Sequence, residues 1–364
     1  MTKDDNKKEI KKEKRKIETI EYVGIVLFVL ALIGLFFASD QIAGIFNAMF
    51  NKAFGIFDVF IFGKNIGAAI IVSVMTGRIL ERLGFTDALM RIFIPIMKYV
   101  GVNSAIVVPG VYNILGDVNA AGRIAAPVLV KAKATKDEQK IAIATMVQAP
   151  CSFSIFMLGM LALSLAGISV FPVVIITLFL PLVLVPFILK FFWRDTRAVQ
   201  LTELPKFTPD TPPLPTIFNA AREGAELLFL LIVPAAVVIF AIIGALEYIG
   251  IWQHLDGILT SIMHLFKIEP ITGALTVLVS NTLAMGQLVN MLGEQSIAPA
   301  LVLGSFVLAN SGFPLQVPFG QIPAVWATIS DLNEKEAMQA AVLGVVIRLF
   351  SAALAAYLLT PLVT

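Results

Sequence analysis

Long apolar stretches alternate with short charged segments along nearly the whole chain. Four stretches carry no charged residue and are long enough to cross a bilayer as helices, which takes about 20 residues: 22–39, 227–246, 270–293 and 141–189, the last sufficient for two crossings. Hydrophobic residues make up 58% of the sequence and charged residues 14%, unlike an ordinary soluble domain. The pattern predicts an all-α polytopic membrane protein.

Basic residues concentrate in three segments, and the positive-inside rule places such segments in the cytoplasm. They are 3–16, 131–140 and 190–206. With all three inside, the segment 103–130 must begin and end on the cytoplasmic face, which predicts a helical hairpin that enters the membrane and leaves by the same side. A plain crossing by 103–130 is the alternative, and it would place two of the three basic segments outside.

The same orientation sets the rest of the path. In the first half, helix 22–39 exits the cytoplasm, helix 57–77 returns, 86–100 is an amphipathic interfacial helix, 139–166 exits and 169–192 returns. A cytoplasmic linker, 194–216, joins the halves. In the second half, 222–247 exits, 252–267 lies on the outer interface, 269–297 is a second hairpin entered from outside, 298–330 runs inward and 337–361 exits. A simple span stays open as the alternative for 269–297.

Short sequence matches relate the two halves. Residues 80–85 (LERLGF) match residues 246–251 (LEYIGI) at an offset of 166 (246 − 80), and Ile96-Met97 matches Ile262-Met263 at the same offset. A helix break follows in each half, at 149–151 and at 312–314, where Pro150 and Pro314 are 164 residues apart (314 − 150). Because the first copy is cytoplasmic and the second external, we predict two inverted-topology repeats, each with an amphipathic interfacial helix, a re-entrant hairpin and a discontinuous helix.

This path divides the chain into five parts. They are a charged cytoplasmic N-terminus (1–20), a peripheral first transmembrane helix with an external segment (21–56), a first repeat (57–193), the linker (194–216) and a second repeat (217–364).

The two hairpin tips and the two helix breaks are the predicted site. Irregular backbone persists inside a bilayer only where protein or a water-filled cavity satisfies its N–H and C=O groups. Amides and hydroxyls both donate and accept hydrogen bonds, which suits a small polar solute. The candidate solute-binding residues are Asn113, Asp117 and Asn119; Gln148, Cys151 and Ser152; Ser280, Asn281 and Thr282; and Asn310, Ser311 and Gln316. The alternative is that such residues only join helices and that Cys151 only fills space.

Asp117 is the most informative of these residues, because a carboxylate at membrane depth is costly and marks a functional site by default. It must be protonated, paired with Arg123 or bound to a cation. We therefore predict that Asp117 and Arg123 couple transport to H⁺ or Na⁺. Arg348 is expected to pair structurally with a carboxylate or with backbone carbonyls, and Glu226 to lie at a membrane interface.

Other chemistry has little support in the sequence. The single cysteine, Cys151, excludes an intramolecular disulfide and a multi-cysteine metal cluster. His254 and His264 lie ten residues apart (264 − 254), not at the i, i+4 spacing of a helical metal pair. No nucleotide-binding loop, catalytic serine motif or kinase motif is present, so we expect no enzyme activity, no cofactor and no resident metal. The net charge of +2 does not indicate nucleic acid as a partner.

Two stretches resemble a known family. The run NILGDVNAAG at 113–122, followed by Lys131-Ala132-Lys133, resembles the spore maturation protein A type, and the run REGAEL at 222–227 resembles the B type. Both types belong to the nucleoside-recognition, or Gate, domain family. That family includes the membrane part of ferrous-iron transporters and is related to concentrative nucleoside transporters. The resemblance covers most of residues 57–364, as if the two types were fused.

The resemblance implies two inverted repeats with paired hairpins and a small polar solute moved by alternating access. It also implies that Asp117, Asn119, Asn281 and Thr282 line the site. Two features depart from the relatives: the chain has no GTPase domain, and its tips lack a glutamine–glutamate pair of the nucleoside-transporter kind.

Three functions are open at this point. The first is an ion-coupled secondary transporter for a small polar solute, nucleoside-like, in a bacterial inner or plasma membrane. The second is a divalent-metal permease with Cys151, Ser152 and Asp117 as ligands. The third is a non-transport membrane assembly or spore-envelope component. Assembly into a homo-oligomer is compatible with each.

Overall fold

The computed structural model describes residues 18–57, 66–201 and 203–364. Within these ranges the regular structure is helical, as the apolar pattern predicts. The charged N-terminus predicted at 1–20 lies almost entirely outside the described residues. So do residues 58–65 of the helix predicted over 57–77, and residue 202 of the linker.

The helices fall into two sets along the chain. The first set is α1 (Thr19–Phe37), α2 (Ser39–Phe57), α3 (Ile66–Arg82), α4 (Phe85–Val100), α5 (Val108–Asn113), α6 (Val118–Lys131), α7 (Lys136–Met146), α8 (Phe153–Leu165) and α9 (Val170–Leu189). The second set is α10 (Pro213–Tyr248), α11 (Trp252–Leu265), α12 (Pro270–Leu278), α13 (Asn281–Leu292), α14 (Pro299–Ala309), α15 (Ile322–Ile329), α16 (Glu334–Leu358) and α17 (Thr360–Val363). Of the described helices, α1, α9, α10 and α16 are long and apolar enough to cross a membrane.

Both predicted hairpins are present. Helices α5 and α6 pack against each other around a turn at 114–117, and α12 and α13 do the same around 279–280. Each segment folds back on itself, which excludes a single straight crossing by 103–130 or by 269–297. In each repeat the hairpin follows an amphipathic helix, α4 or α11, and precedes a discontinuous helix, α7 and α8 or α14 and α15.

The two repeats are packed reciprocally. Helix α8, the second half of the first discontinuous helix, packs on hairpin arm α13 of the other repeat. Helix α15, its counterpart, packs on hairpin arm α6 of the first repeat. The two breaks touch where the N–H of Gly312 donates to the carbonyl of Val147 at 3.0 Å. This exchange of equivalent contacts is what a two-fold relation between inverted repeats requires.

Helix α10 is longer than the predicted helix at 222–247. It begins inside the predicted linker at Pro213, because proline suits the first turn of a helix, where no amide donor is needed. Helices α2 and α3 pack along its two halves. The ion pair of Lys52 with Glu247, 2.6 Å between Nζ and Oε1, joins α2 to the far end of α10. The sequence pattern predicts no helix for α2, which falls in the segment assigned outside the membrane.

The linker lies across the predicted cytoplasmic end of the first repeat. Its carbonyl at Val199 accepts from the N–H of Ser104 at 3.0 Å. The N–H of Arg197 donates to the buried carboxylate of Glu138 at 2.7 Å, and the N–H of Phe207 donates to Asp87 at 2.7 Å. Residues 194–201 and 203–212 therefore form an extended strap bonded to the membrane helices and not a separate domain.

Candidate functional site

One cavity of about 580 Å³ joins all four irregular segments that the sequence singles out. A volume of this size suits a small molecule, because ligand pockets span roughly 300–1,000 Å³. Of the site residues predicted from the sequence, eight line this cavity: Asp117 and Asn119 from the first tip, Cys151 and Ser152 from the first break, Ser280, Asn281 and Thr282 from the second tip, and Gln316 from the second break. The convergence of tips and breaks is the central feature of the site.

Asp117 caps the N-terminus of α6. Its Oδ1 atom accepts from the N–H of Asn119 at 2.8 Å and from the N–H of Ala120 at 2.9 Å. The free amides and the positive end of the helix dipole stabilise a carboxylate at such a position. The side chain is exposed to the cavity. The sequence suggests that Asp117 is protonated, paired with Arg123 or bound to a cation. The structure adds a fourth way to stabilise its carboxylate, the N-terminus of α6.

Arg123 lies apart from Asp117. It is on an exposed face of α6, and it is not among the residues that line the cavity. In the described part of the chain, Arg123 forms no ion pair with Asp117. The structure thus does not bring together the two residues predicted to couple the ion.

The first break separates α7 from α8 and brings Cys151 and Ser152 to the cavity. The Oγ atom of Ser152 is 2.5 Å from that of Ser154. Cys151, which is partly exposed, accepts a hydrogen bond at 3.6 Å from the amide nitrogen of Asn281. The first break and the second tip are therefore in direct contact.

The second tip begins α13. The hydroxyl of Ser280 accepts from the N–H of Leu283 at 3.5 Å, a helix cap. The amide nitrogen of Asn281 donates to the carbonyl of Ser311 at 2.8 Å, which ties the tip to the second break. Thr282 lies beside them in the cavity wall and is largely buried.

Four predicted site residues are buried behind the cavity instead of lining it: Asn113, Gln148, Asn310 and Ser311. The amide of Gln148 donates to the carbonyls of Ala144 and Gly344, each at 2.9 Å, and so joins α7 to α16. The amide of Asn113 donates to the carbonyl of Met146 at 3.4 Å. Within the described residues, the side-chain oxygens of Asn113, Gln148, Asn281 and Asn310 have no hydrogen-bond partner.

A charged wall completes the cavity, and the sequence reasoning missed it. Arg78 of α3 and Glu223 of α10 form an ion pair with 2.5 Å between Nη2 and Oε1, and both line the cavity. A second ion pair joins Arg78 Nη1 to Glu81 at 2.7 Å. Glu226, expected at a membrane interface, also lines the cavity. This wall lies at the ends of α3 and α10 that are predicted to be cytoplasmic.

Arg348 is fully buried in α16 and pairs with backbone carbonyls, one of the two expected arrangements. It donates to the carbonyls of Val307, Thr177 and Asn310 at 2.6–2.7 Å. It does not line the cavity.

Comparison with known proteins identifies the fold. No family model matches the sequence, and no curated protein matches it. The structure is similar to that of a concentrative nucleoside transporter, CNTnw, in an inward-facing substrate-bound state, with a TM-score of 0.60 and 14% identity over 88% of this chain and 84% of that chain. A variant of CNTnw in an outward-facing state has the same TM-score and identity over 93% and 84% of the two chains. At this identity the similarity establishes the fold.

The chain is therefore a membrane-embedded all-α protein with a transporter fold. Two inverted repeats with re-entrant hairpins, expected from charge and apolar patterning, are confirmed. The resemblance to the spore maturation and Gate domain proteins has no matching family model and stays a prediction.

Proposed function

We propose that the protein is a secondary transporter that moves a small polar solute of nucleoside type by alternating access. The observation that carries the proposal is the single cavity between the two tips, the two breaks and the α3–α10 wall. Its lining combines apolar surface with amides, hydroxyls and carboxylates. Such a lining suits a solute that has both a ring face and several hydrogen-bonding groups.

Alternating access is supported by the way the cavity is divided. One wall consists of α3 and α10, which are packed along each other and joined by the Arg78–Glu223 ion pair. The opposite wall consists of hairpin tips and broken helices that are bonded to one another through Asn281. Movement of the second group against the first would expose the cavity to one side and then the other. The similar transporter has been seen in inward-facing and outward-facing states.

Ion coupling is part of the proposal and centres on Asp117. One oxygen of this carboxylate is held by the N-terminus of α6, and the residue faces the cavity. An H⁺ or Na⁺ bound there would change the charge of the cavity directly. Because Arg123 does not line the cavity and forms no ion pair with Asp117 in the described part of the chain, we assign the coupling role to Asp117 alone.

The alternatives have weaker support. A divalent-metal permease needs a cluster of ligands, and no three His, Cys, Asp or Glu side chains form one among the residues with described structure. An assembly or envelope component has no need of a cavity between its repeats into which amides, hydroxyls and carboxylates project. The cavity therefore favours transport over both.

The test is uptake of radiolabelled uridine and adenosine by the purified protein in proteoliposomes. An inward Na⁺ or H⁺ gradient should drive accumulation above the equilibrium level, and dissipating that gradient should abolish it. Liposomes with inactive protein, in which Asn281 and Thr282 are both replaced by leucine, provide the control. Failure of every nucleoside to accumulate or exchange under either gradient would disprove the nucleoside assignment.

A further inference from the structure

Arg348 lies in the apolar body of α16, where a guanidinium is unfavourable unless its donors are satisfied. Within the described ranges no carboxylate pairs with it. Nε donates to the carbonyl of Val307 at 2.7 Å, Nη1 to that of Thr177 at 2.6 Å and Nη2 to that of Asn310 at 2.7 Å. The side chain thus joins α16 to α9 and to the end of α14.

Each of these carbonyls lies where the regular α-helical hydrogen bonding of its own helix is interrupted. Helix α14 ends at Ala309, so the carbonyls of Val307 and Asn310 lack the amides that would follow in a longer helix. The carbonyl of Thr177 lies in a π-helical turn, Ile175–Phe179, just before Pro181, and Pro181 has no N–H to donate to it. A cation also suits the negative end of the α14 dipole. Arg348 therefore replaces the missing donors at the second break.

The bond to Asn310 connects Arg348 with the cavity. The next residue is Ser311, whose carbonyl accepts from the amide of Asn281 at 2.8 Å. That same amide lies 3.6 Å from the sulfur of Cys151. Asn281 and Cys151 line the cavity, whereas Arg348 does not.

We propose that Arg348 is a positioning residue for the solute site. Its guanidinium fixes the backbone at Asn310–Ser311, and that backbone holds the Asn281 amide against the cavity and against Cys151. The functional part of this inference rests on the proposed transport function. The geometric part does not, and it is tested without any solute.

The test measures the rate at which N-ethylmaleimide modifies Cys151, the single cysteine, in the purified full-length protein. Lysine at position 348 is a point charge that does not reproduce the forked guanidinium. Arg348→Lys should release the Asn281 amide from the sulfur and speed modification roughly fivefold, the effect of losing one ordinary hydrogen bond. Leu129→Ala, a core truncation in the other half of the molecule, should lower the melting temperature without this acceleration.

A double-mutant comparison separates positioning from general loosening. Asn281→Ala alone should also speed modification, and Arg348→Lys should add nothing in that background. Equal rates for wild type and folded Arg348→Lys, or additive effects of the two changes, would overturn the inference. If Arg348→Lys does not fold, Pro181→Ala serves instead. It supplies an N–H that competes for the Thr177 carbonyl, and it should give a smaller acceleration of the same kind.

Uridine then distinguishes this inference from the proposed function. In wild type, uridine should protect Cys151, and Arg348→Lys should weaken that protection by raising the concentration needed. If uridine gives no protection in wild type while the solute-free rates behave as described, the nucleoside assignment fails and the positioning role stands.

Discussion

The amide nitrogen of Asn281 lies 2.8 Å from the carbonyl oxygen of Ser311, so the tip of the second hairpin is bonded to the second helix break. Asn281 is 2% exposed, and this bond sets its orientation at the cavity wall. The hairpin tip and the helix break of the second repeat therefore act as one unit in the cavity wall.

Replacing Asn281 by aspartate keeps the shape of the side chain and removes the donor. A carboxylate oxygen would then face the carbonyl of Ser311, which also accepts and does not donate. We expect uridine binding to weaken at least about tenfold, because one buried bond is lost and repulsion replaces it. Isothermal titration of the purified protein measures this. Asn290→Asp, on the same helix but outside the cavity lining, should bind as wild type does; equal weakening by both variants would contradict the assignment.

The membrane orientation can be tested by cysteine labelling in a Cys151→Ser background. Lys136→Cys and Asp210→Cys should react with an impermeant maleimide from the cytoplasm, and Gln295→Cys from outside, since all three positions are exposed. Reaction of Lys136→Cys from outside would reverse the orientation of the first hairpin.

Much of the fold could be predicted from local sequence. The hairpins and breaks interrupt apolar runs with glycine, proline and asparagine, and three basic segments restrict how the chain can cross. The sequence also contains the signal for the cap formed by Asp117, because an aspartate directly before a helical run is a common helix N-terminus. The cost of a charge in the membrane led instead to the prediction of an ion pair between Asp117 and Arg123.

The α3–α10 wall of the cavity could not be predicted in the same way. Arg78 and Glu223 are 145 residues apart in the sequence. Their pairing depends on α3 packing along α10, which no local pattern specifies. The sequence also cannot show that Gln148 and Asn310 are buried behind the cavity. Which polar residues near a break face the cavity depends on how the helices pack.

The packing of α3 on α10 depends on a close approach at Gly224. A Cβ atom there would lie 2.8 Å from the Cα of Ile71 and 3.1 Å from its carbonyl oxygen, both backbone atoms. We expect Gly224→Ala to destabilise the protein by about 1–3 kcal/mol, the usual cost of overpacking. Thermal unfolding in detergent measures this. Gly257→Ala in α11, where nothing lies within 4 Å, should leave the melting temperature unchanged or raise it.

Asp87 fastens the linker to α4, and this contact should depend on pH. Partial desolvation raises the pKa of Asp87, but hydrogen bonds from Thr208 and Phe207 lower it more, so the pKa lies below its ordinary value of 3.8. A depressed pKa means that the contact stabilises the folded linker fully above the unfolded pKa. This stabilisation is lost as the pH falls below 3.8 through the folded pKa.

Hydrogen exchange of the linker amides tests this dependence. At pH 7, Asp87→Asn should exchange faster than wild type at Phe207 and Thr208, whose N–H groups donate to Asp87. The difference should shrink as the pH falls below 3.8, where wild type also loses the charge. Asp256→Asn, an exposed change on α11, is the control and should alter neither amide. A difference that persists undiminished in acid would show that charge is not what holds the linker.

The coupling role of Asp117 gives the last prediction. Asparagine at this position can still accept from the amides of Asn119 and Ala120, so the cap and the fold should survive Asp117→Asn. It removes the titratable, cation-binding group that faces the cavity. We expect gradient-driven accumulation of uridine to be abolished, while exchange of internal for external uridine continues, because exchange does not require the ion to be released. Arg123→Gln should leave accumulation intact, since Arg123 lies outside the cavity lining. Full accumulation by Asp117→Asn would show that Asp117 is only a structural cap. Loss of accumulation in Arg123→Gln alone would instead support the predicted coupling role of Arg123.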